Sequence, residues 1–293
     1  MSINGIFSIG VSGVNAFATS LEAVSNNIAN SQTAGYKRVQ TDFADLVTQN
    51  APDLNEAVGT GVTGTGVAAT NRQLVSEQGA VTRTNNPTDL AIAGAGFFVV
   101  AESADANPAT SPFLFTRSGG FRPDAAGNLV NEAGLFLQGA PSGINGTAAV
   151  TGGLNALQTI NINRTPPLAA GAPALGALTG VAFDNDGRLI GTFANGETRA
   201  LFETPVALFA NVDGLEEAGD TTFRATPDAG ALTLNRSTEG RAGSIESSAL
   251  EISTVDIGQE FSTLIATQQA YSTNARVISV ADELWRTLTQ TAA

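Results

Sequence analysis

The chain of 293 residues contains no cysteine and no histidine. These absences exclude disulfides, thiolate nucleophiles, zinc sites of the usual Cys/His kind and histidine-based catalytic triads. Lysine occurs once, at Lys37, and the formal net charge is −13 at pH 7. Nucleic acids and anionic membrane surfaces both select clustered Lys and Arg side chains, so we expect neither as a partner.

Long apolar runs are also missing. The longest, from Ala91 to Ala101, is far shorter than the roughly 20 residues that a membrane-spanning helix needs, so we expect no membrane insertion. No Lys or Arg precedes Lys37, whereas a cleaved secretory signal begins with a basic segment. Charged residues make up only 14% of the chain and apolar residues 42%, which is enough for a sizeable core.

The N-terminal segment over residues 3–28 is predicted to be a helix. Its apolar positions alternate in spacing between three and four residues, which is typical of a coiled-coil seam. Glu22 is the only charge in this stretch, so the helix lacks the charged outer face of a lone solvated helix. The two rows are Phe7, Val14, Leu21 and Ile28, and Ile3, Gly10, Phe17 and Val24.

The C-terminal segment, from about Thr254 to Thr289, is predicted to be a second helix, because it contains no proline and only one glycine. Ser253 or Thr254 is a suitable N-cap residue. One row of residues recurs every seven positions and a weaker row accompanies it. The first row is Ile257, Leu264, Tyr271, Ile278 and Trp285, and the second is Phe261, Gln268, Ala275 and Asp282.

Between the helices, short apolar runs bounded by Gly, Pro, Asn and Asp predict antiparallel strands. Three of these strands, at 181–183, 189–193 and 199–203, are assigned to an inserted unit. The predicted fold class is therefore mixed α and β, with the terminal helices paired as a coiled coil and two mainly antiparallel β domains between them. The predicted divisions are a helical domain (1–30 plus 252–293), an extended connector (31–70), an inner β domain (71–140 plus 205–251) and a small outer β domain (141–204).

The terminal rows predict self-assembly. Burying one large apolar side chain contributes roughly 1.5–3 kcal/mol, whereas ordering each residue costs roughly 1–2 kcal/mol, so the first helix needs partners on more than one side. The alternative is an intramolecular helical hairpin that caps the β region. The predicted assembly seam comprises Ile3, Phe7, Val14, Phe17, Leu21, Val24, Ile28, Ile257, Phe261, Leu264, Tyr271, Ile278 and Trp285.

No residues form a catalytic constellation, so we assign no catalytic, cofactor-binding or metal-binding residues and do not expect an enzyme. The segment Asp184-x-Asp186-Gly187 has some likeness to a calcium loop, but the twelfth position, where a Glu is needed, is Asn195. We therefore interpret it as a β-turn. Lys37 and Arg38 are interpreted as a solvated basic pair.

Two terminal segments resemble the signatures of the bacterial flagellar rod and hook proteins. The first is Asn26–Arg38, and the second comprises residues 255–261, 268–276 and 281–284. Asn86–Phe98 and Phe115–Phe121 are similar to the β-domain motifs of that family. The signature residues carried over are Asn26, Asn27, Asn30, Gly35, Tyr36, Asn274 and Arg276.

Residues 181–189, 193–197 and 206–215 resemble the inserted outer domain of hook proteins and its return. The resemblance implies a subunit of the flagellar hook, a curved extracellular tube of many copies that transmits torque from rod to filament. It also implies export through the flagellar type III apparatus without a cleaved signal peptide. The implied partners are further copies of the chain, the distal rod protein, the hook cap and the hook–filament junction protein.

Two alternatives remain. The chain is shorter than many hook proteins, which leaves open a subunit of the straight distal rod. A more remote alternative is a secreted β-rich adhesin or glycan hydrolase, which would need carboxylates to converge across the fold.

Overall fold

The computed structural model describes residues 3–49, 62–105, 112–143, 153–168, 174–219 and 221–291. The chain divides into two compact units. The helical unit contains Met1–Ser31, Arg38–Leu74 and Val255–Ala293, and the sheet unit contains Gln32–Lys37 and Val75–Thr254. The predicted mixed α and β class, with a helix near each end and a β-rich middle, is confirmed.

Among its described residues, the helical unit contains two long helices and two strands. Its elements are α1 (Ile3–Ala29), β1 (Val39–Gln49), β2 (Val62–Gln73) and α2 (Ile257–Thr291). The Asp256 carboxylate accepts a hydrogen bond from the Gln259 backbone N–H at 3.1 Å, which satisfies one of the free donors at the start of α2. The N-cap is therefore Asp256, a few residues beyond the predicted Ser253 or Thr254.

The antiparallel strands β1 and β2 occupy half of the predicted connector over 31–70. Their register runs from Val39 opposite Gln73 to Gln49 opposite Val62, with a bulge between Leu46 and Val47. The Gly/Thr/Asn-rich composition that suggested a connector is concentrated in residues 49–66, of which 50–61 lie outside the described residues. Either side of that segment, backbone pairing produces regular strands.

The sheet unit consists of short strands. They are β3 (Val81–Arg83), β4 (Leu90–Ala93), β5 (Phe98–Ala101), β6 (Leu114–Thr116), β7 (Arg122–Pro123), β8 (Leu129–Val130), β9 (Phe136–Pro141), β10 (Gln158–Thr159), β11 (Leu178–Phe183), β12 (Arg188–Phe193), β13 (Thr198–Glu203), β14 (Val206–Phe209), β15 (Glu216–Gly219), β16 (Thr222–Arg224), β17 (Leu232–Asn235), β18 (Ser244–Ser247) and β19 (Ala249–Glu251).

The main sheet is antiparallel, in the order β11-β12-β13-β9-β5-β6-β16-β15. Both faces of β5 are covered, because alternate side chains belong to two different apolar clusters. Phe98 and Val100 belong to one cluster, and Val99 belongs to the other together with the adjacent Phe97. The sequence of this strand is therefore a continuous apolar run rather than an alternation of apolar and polar residues.

The strands predicted at 181–183, 189–193 and 199–203 are present as β11, β12 and β13, and they continue the main sheet. Strand β13 pairs with β9, so that Phe202 lies opposite Pro141 and Glu203 opposite Ala140. Phe183 and Leu189 share an apolar cluster with Phe98. The described residues of the predicted inner and outer β domains therefore belong to one compact unit.

The acidic segment at 184–187 forms the predicted turn, between β11 and β12. One carboxylate oxygen of Asp184 accepts the backbone N–H groups of Asp186 and Arg188, at 3.0 and 2.8 Å. Gly187 has φ of 76°, which a residue without a side chain adopts readily. The carboxylate thus organises the hairpin turn.

Candidate assembly surface

Helices α1 and α2 run antiparallel and contact each other through small residues. A Cβ atom at Gly13 would lie 2.9 Å from Nδ2 of Asn274, and one at Gly10 would lie 2.8 Å from Cγ1 of Ile278. Further along, Asn27 Nδ2 donates to Glu260 Oε2 at 3.2 Å. Because numbers rise along α1 as they fall along α2, the register is fixed over most of α1, and glycine permits the close approach.

The buried row of α2 is not the predicted second row. Residues Glu260, Thr267, Asn274 and Ala281 recur every seven positions; all are buried except Asn274, which is half-buried. The predicted row of Phe261, Gln268, Ala275 and Asp282 lies one residue further along, and Phe261, Gln268 and Asp282 are exposed. The contact with α1 inside one copy therefore uses small and polar side chains, and the predicted row remains a prediction for contacts between copies.

The predicted seam residues fall into several groups by exposure. Val24 is buried, and Phe17 is half-buried with its ring 5.5 Å from that of Phe43 in β1. Val14, Leu21, Ile28, Leu264 and Ile278 are also half-buried. Phe7, Ile257, Phe261, Tyr271 and Trp285 are exposed, and the side chain of Ile3 lies outside the described residues. The assembly seam thus remains a prediction, and the structure identifies which of its residues are exposed in a single copy.

We call the exposed large apolar side chains of the two helices the apolar helix surface. Phe261 is 50% exposed and Trp285 is 49% exposed. The members are Phe7, Ile9 and Val11 on α1 and Ile257, Phe261, Ile265, Tyr271, Val277, Val280, Leu284 and Trp285 on α2. Eleven of the fourteen exposed large apolar side chains among the described residues lie on these two helices, which makes the helices the candidate interaction surface.

The chain leaving α1 is held by a buried asparagine of the signature segment. Asn27 is fully buried, and its side-chain amide exchanges two hydrogen bonds of 2.8 Å with the backbone N–H and carbonyl of Val39. Glu260 accepts from Asn27 and also forms an ion pair of 2.5 Å with Arg38. The signature therefore fixes α1, the start of β1 and the start of α2 to one another.

Lys37 is not the solvated residue that the sequence suggested. It is 1% exposed and lies 2.6 Å from Oε1 of Glu251, while Arg117 Nη1 lies 3.2 Å from Oε2 of the same carboxylate. Lys37 also donates to the Glu77 carbonyl oxygen. Burial lowers the pKa of Lys37 below its ordinary value, and the Glu251 carboxylate opposes that shift. One buried anion thus compensates two buried cations.

The other signature residues have structural roles or face solvent. Gly35 has φ of 72°, and a Cβ there would lie 2.4 Å from the Ser118 nitrogen, so the position requires glycine. Tyr36 is buried. Asn30 Nδ2 donates to the Asn26 carbonyl at 3.0 Å, at the end of α1. Arg276 is exposed on α2.

The described residues contain no helix that is long and apolar enough to cross a membrane. Two long terminal helices with an uncovered apolar surface, flanking a β-rich unit in sequence, are features of a protein that assembles through its ends. Structural subunits of this kind bury in an assembly what a monomer leaves exposed.

Comparisons with known proteins agree with this class. Three family models match in sequence order: "Flagella basal body rod protein" over residues 7–37, "Flagellar hook protein FlgE/F/G D1 domain" over 91–190, and "Flagellar basal body rod FlgEFG protein C-terminal" over 246–291. The flagellar basal-body rod protein FlgG of Agrobacterium fabrum is 33% identical over 285 residues, which cover 94% of this chain and 95% of that protein.

Hook proteins are also similar to this chain. The flagellar hook protein FlgE of Caulobacter vibrioides is 43% identical over 139 residues, which cover 47% of this chain and 22% of that protein. FlgE of Brucella melitensis is 26% identical over 97% of this chain and 98% of that protein. The chain belongs to the flagellar rod and hook axial proteins, as its motifs suggested. It is a structural subunit of the flagellum and not an enzyme, which removes the glycan hydrolase alternative.

Proposed function

We propose that the chain is a subunit of the flagellar hook, which polymerises into a curved extracellular tube and transmits torque from rod to filament. The observation that carries the assembly part of this proposal is the apolar helix surface. Moving the exposed half of one such side chain into an apolar contact is worth about 1 kcal/mol. Contacts with several neighbouring copies would add such contributions over both helices.

The pairing of α1 with α2 supports a coiled-coil-like core in that tube. Small residues, among them Gly10 and Gly13, occupy part of the contact inside one copy, so the apolar helix surface remains for other copies. The predicted seam residues that are exposed, such as Phe7 and Phe261, are the ones that we assign to contacts between copies. Half-buried seam residues such as Leu21 lie at the edge of the contact inside one copy and of the proposed contact between copies.

The assignment to the hook rather than to the rod is favoured by the identity of this chain to hook proteins over the segments that align. Over the parts that align, hook proteins of Caulobacter vibrioides and Rhizobium meliloti are 43% and 39% identical to this chain. A specific observation favours the second candidate, the straight distal rod. The rod proteins FlgG of Agrobacterium fabrum and Bacillus subtilis align over 94% and 95% of this chain, at 33% and 29% identity.

The partners follow from whichever tube the chain builds. For a hook subunit we propose contacts with further copies, the distal rod protein, the hook cap and the hook–filament junction protein. Export would occur in the unfolded state through the flagellar type III apparatus, with no cleaved signal peptide.

Electron microscopy of the concentrated full chain tests the proposal. Curved tubes are the expected result, and straight tubes would favour the distal rod. The variant Phe261→Asp should remain monomeric with unchanged circular dichroism, because Phe261 is half exposed in the single copy. The matched control Ile252→Asp changes a similarly exposed apolar residue of the sheet unit and should still polymerise. A wild-type chain that stays monomeric would refute assembly through the helices, as would equal loss of polymer in both variants.

A further inference from the structure

Each terminal helix exposes one isolated charge, and the two charges are opposite. Glu22 is the only charged residue of α1. Arg276 is the only charged residue of α2 between Phe261 and Ala281. Both side chains are exposed, and neither takes part in an ion pair among the described residues. The other exposed charges of α2, Asp282, Glu283 and Arg286, lie near its C-terminal end, so Glu22 and Arg276 stand as opposite charges among uncharged neighbours on their own helices.

Glu22 and Arg276 cannot meet within one copy. The contacts of Gly13 with Asn274 and of Asn27 with Glu260 place Glu22 level with Ile265 of α2. Arg276 lies eleven residues further along the helix, which is about 16 Å at 1.5 Å per residue. That distance exceeds the combined reach of a glutamate and an arginine side chain, so only another copy can bring the two groups together.

The surroundings of both charges permit a close approach by a second helix. The neighbours of Glu22 one turn away on the helix surface are Ala18, Thr19, Ser25 and Asn26. Those of Arg276 are Ser272, Thr273, Ser279 and Val280. None has a long side chain, so a neighbouring backbone can come near and exclude water. A charge that loses water without gaining a partner is strongly destabilising, whereas a paired one is tolerated.

We propose that Glu22 of one copy forms an ion pair with Arg276 of an adjacent copy displaced by about 16 Å along the helix axis. This inference rests on the proposed assembly through the terminal helices. The pair fixes which neighbour docks and in what register, while the apolar helix surface supplies most of the contact area. Electrostatic complementarity acts on specificity and register more than on total affinity.

Exchange of the two charges tests the pair. Polymerisation of the purified full chain is measured as a critical concentration for Glu22→Arg, for Arg276→Glu and for the double variant. Each single change places two like charges together and should raise the critical concentration at least about tenfold. The double variant restores an opposite pair in reversed order and should return to within about threefold of the wild type.

The outcomes separate this pair from the assembly proposal. If both single variants polymerise like the wild type, or if the double variant is impaired as much as the two single effects combined, the pair is wrong and assembly through the helices stands. If the wild-type chain forms no polymer at all, both proposals are wrong. Because both residues are exposed in the single copy, circular dichroism and unfolding of the dilute variants should match the wild type.

Discussion

The buried carboxylate of Glu251 gives the sharpest prediction for stability. Its Oε1 accepts from Lys37 at 2.6 Å and from the Gly79 backbone N–H at 2.8 Å, and its Oε2 pairs with Arg117 at 3.2 Å. Glu251→Gln keeps the shape but removes the carboxylate that pairs with both Lys37 and Arg117, so two buried cations lose their shared ion-pair partner. Breaking a buried ion pair in this way costs about 3–5 kcal/mol. Urea unfolding of the dilute chain should show this loss in the free energy of unfolding.

Two control variants sharpen that measurement. Lys37→Met leaves Glu251 paired with Arg117 in a balanced cluster, so it should cost clearly less than Glu251→Gln. Asp282→Asn breaks the exposed pair with Arg286, which lies 3.1 Å away, and should cost less than about 1 kcal/mol. The reasoning is refuted if Glu251→Gln costs no more than the exposed pair, or if Lys37→Met is equally destabilising.

Substitutions at three other positions should change the free energy of unfolding in a direction that the structure defines. Gly13→Leu should destabilise the helical unit by about 1–3 kcal/mol in urea unfolding, because its first added atom would lie 2.9 Å from Asn274 Nδ2. Gly35→Ala should cost more than Gly134→Ala; both have positive φ, but a Cβ at Gly134 meets nothing within 4 Å, so equal losses would contradict the packing argument. Backbone N–H donors lower the pKa of Asp124 below its ordinary value of 3.8. The carboxylate therefore stabilises the fold fully above pH 3.8, and this stabilisation is lost as the pH falls through the lowered pKa. Asp124→Asn should abolish this loss of stability at acidic pH.

The helices and the strands of the insert could be predicted because their signals are local. The heptad spacing of Phe7, Val14 and Leu21 and the apolar run around Phe98 each depend on neighbours within a few residues. The contact face of α2 could not be predicted in the same way. Glu260 and Thr267 are buried by a partner more than 200 positions away in sequence, and a hydrophobicity pattern assigns both to the surface.

The burial of Lys37 was missed for the same reason. A lone lysine beside an arginine normally indicates a solvated pair, and its partner Glu251 is separated from it by 214 residues. One signal was available in the composition. Lys37 is the single lysine of a chain whose other basic side chains are all arginine. Its compact ammonium group, which differs from the planar guanidinium of arginine, donates here to Glu251 and to a backbone carbonyl.

The distribution of side-chain size over the two helices makes the proposed assembly a physical consequence rather than an analogy. If the large apolar residues formed the contact inside one copy, the helices would be satisfied as a pair and would have no reason to associate further. Here Gly10, Gly13 and Asn27 of α1 contact α2, and close approach takes the place of apolar volume. Phe261 and Trp285 are left to lose their water only when other copies pack against them. The same sequence feature that leaves these side chains exposed in a single copy would thus supply the driving force for the proposed tube.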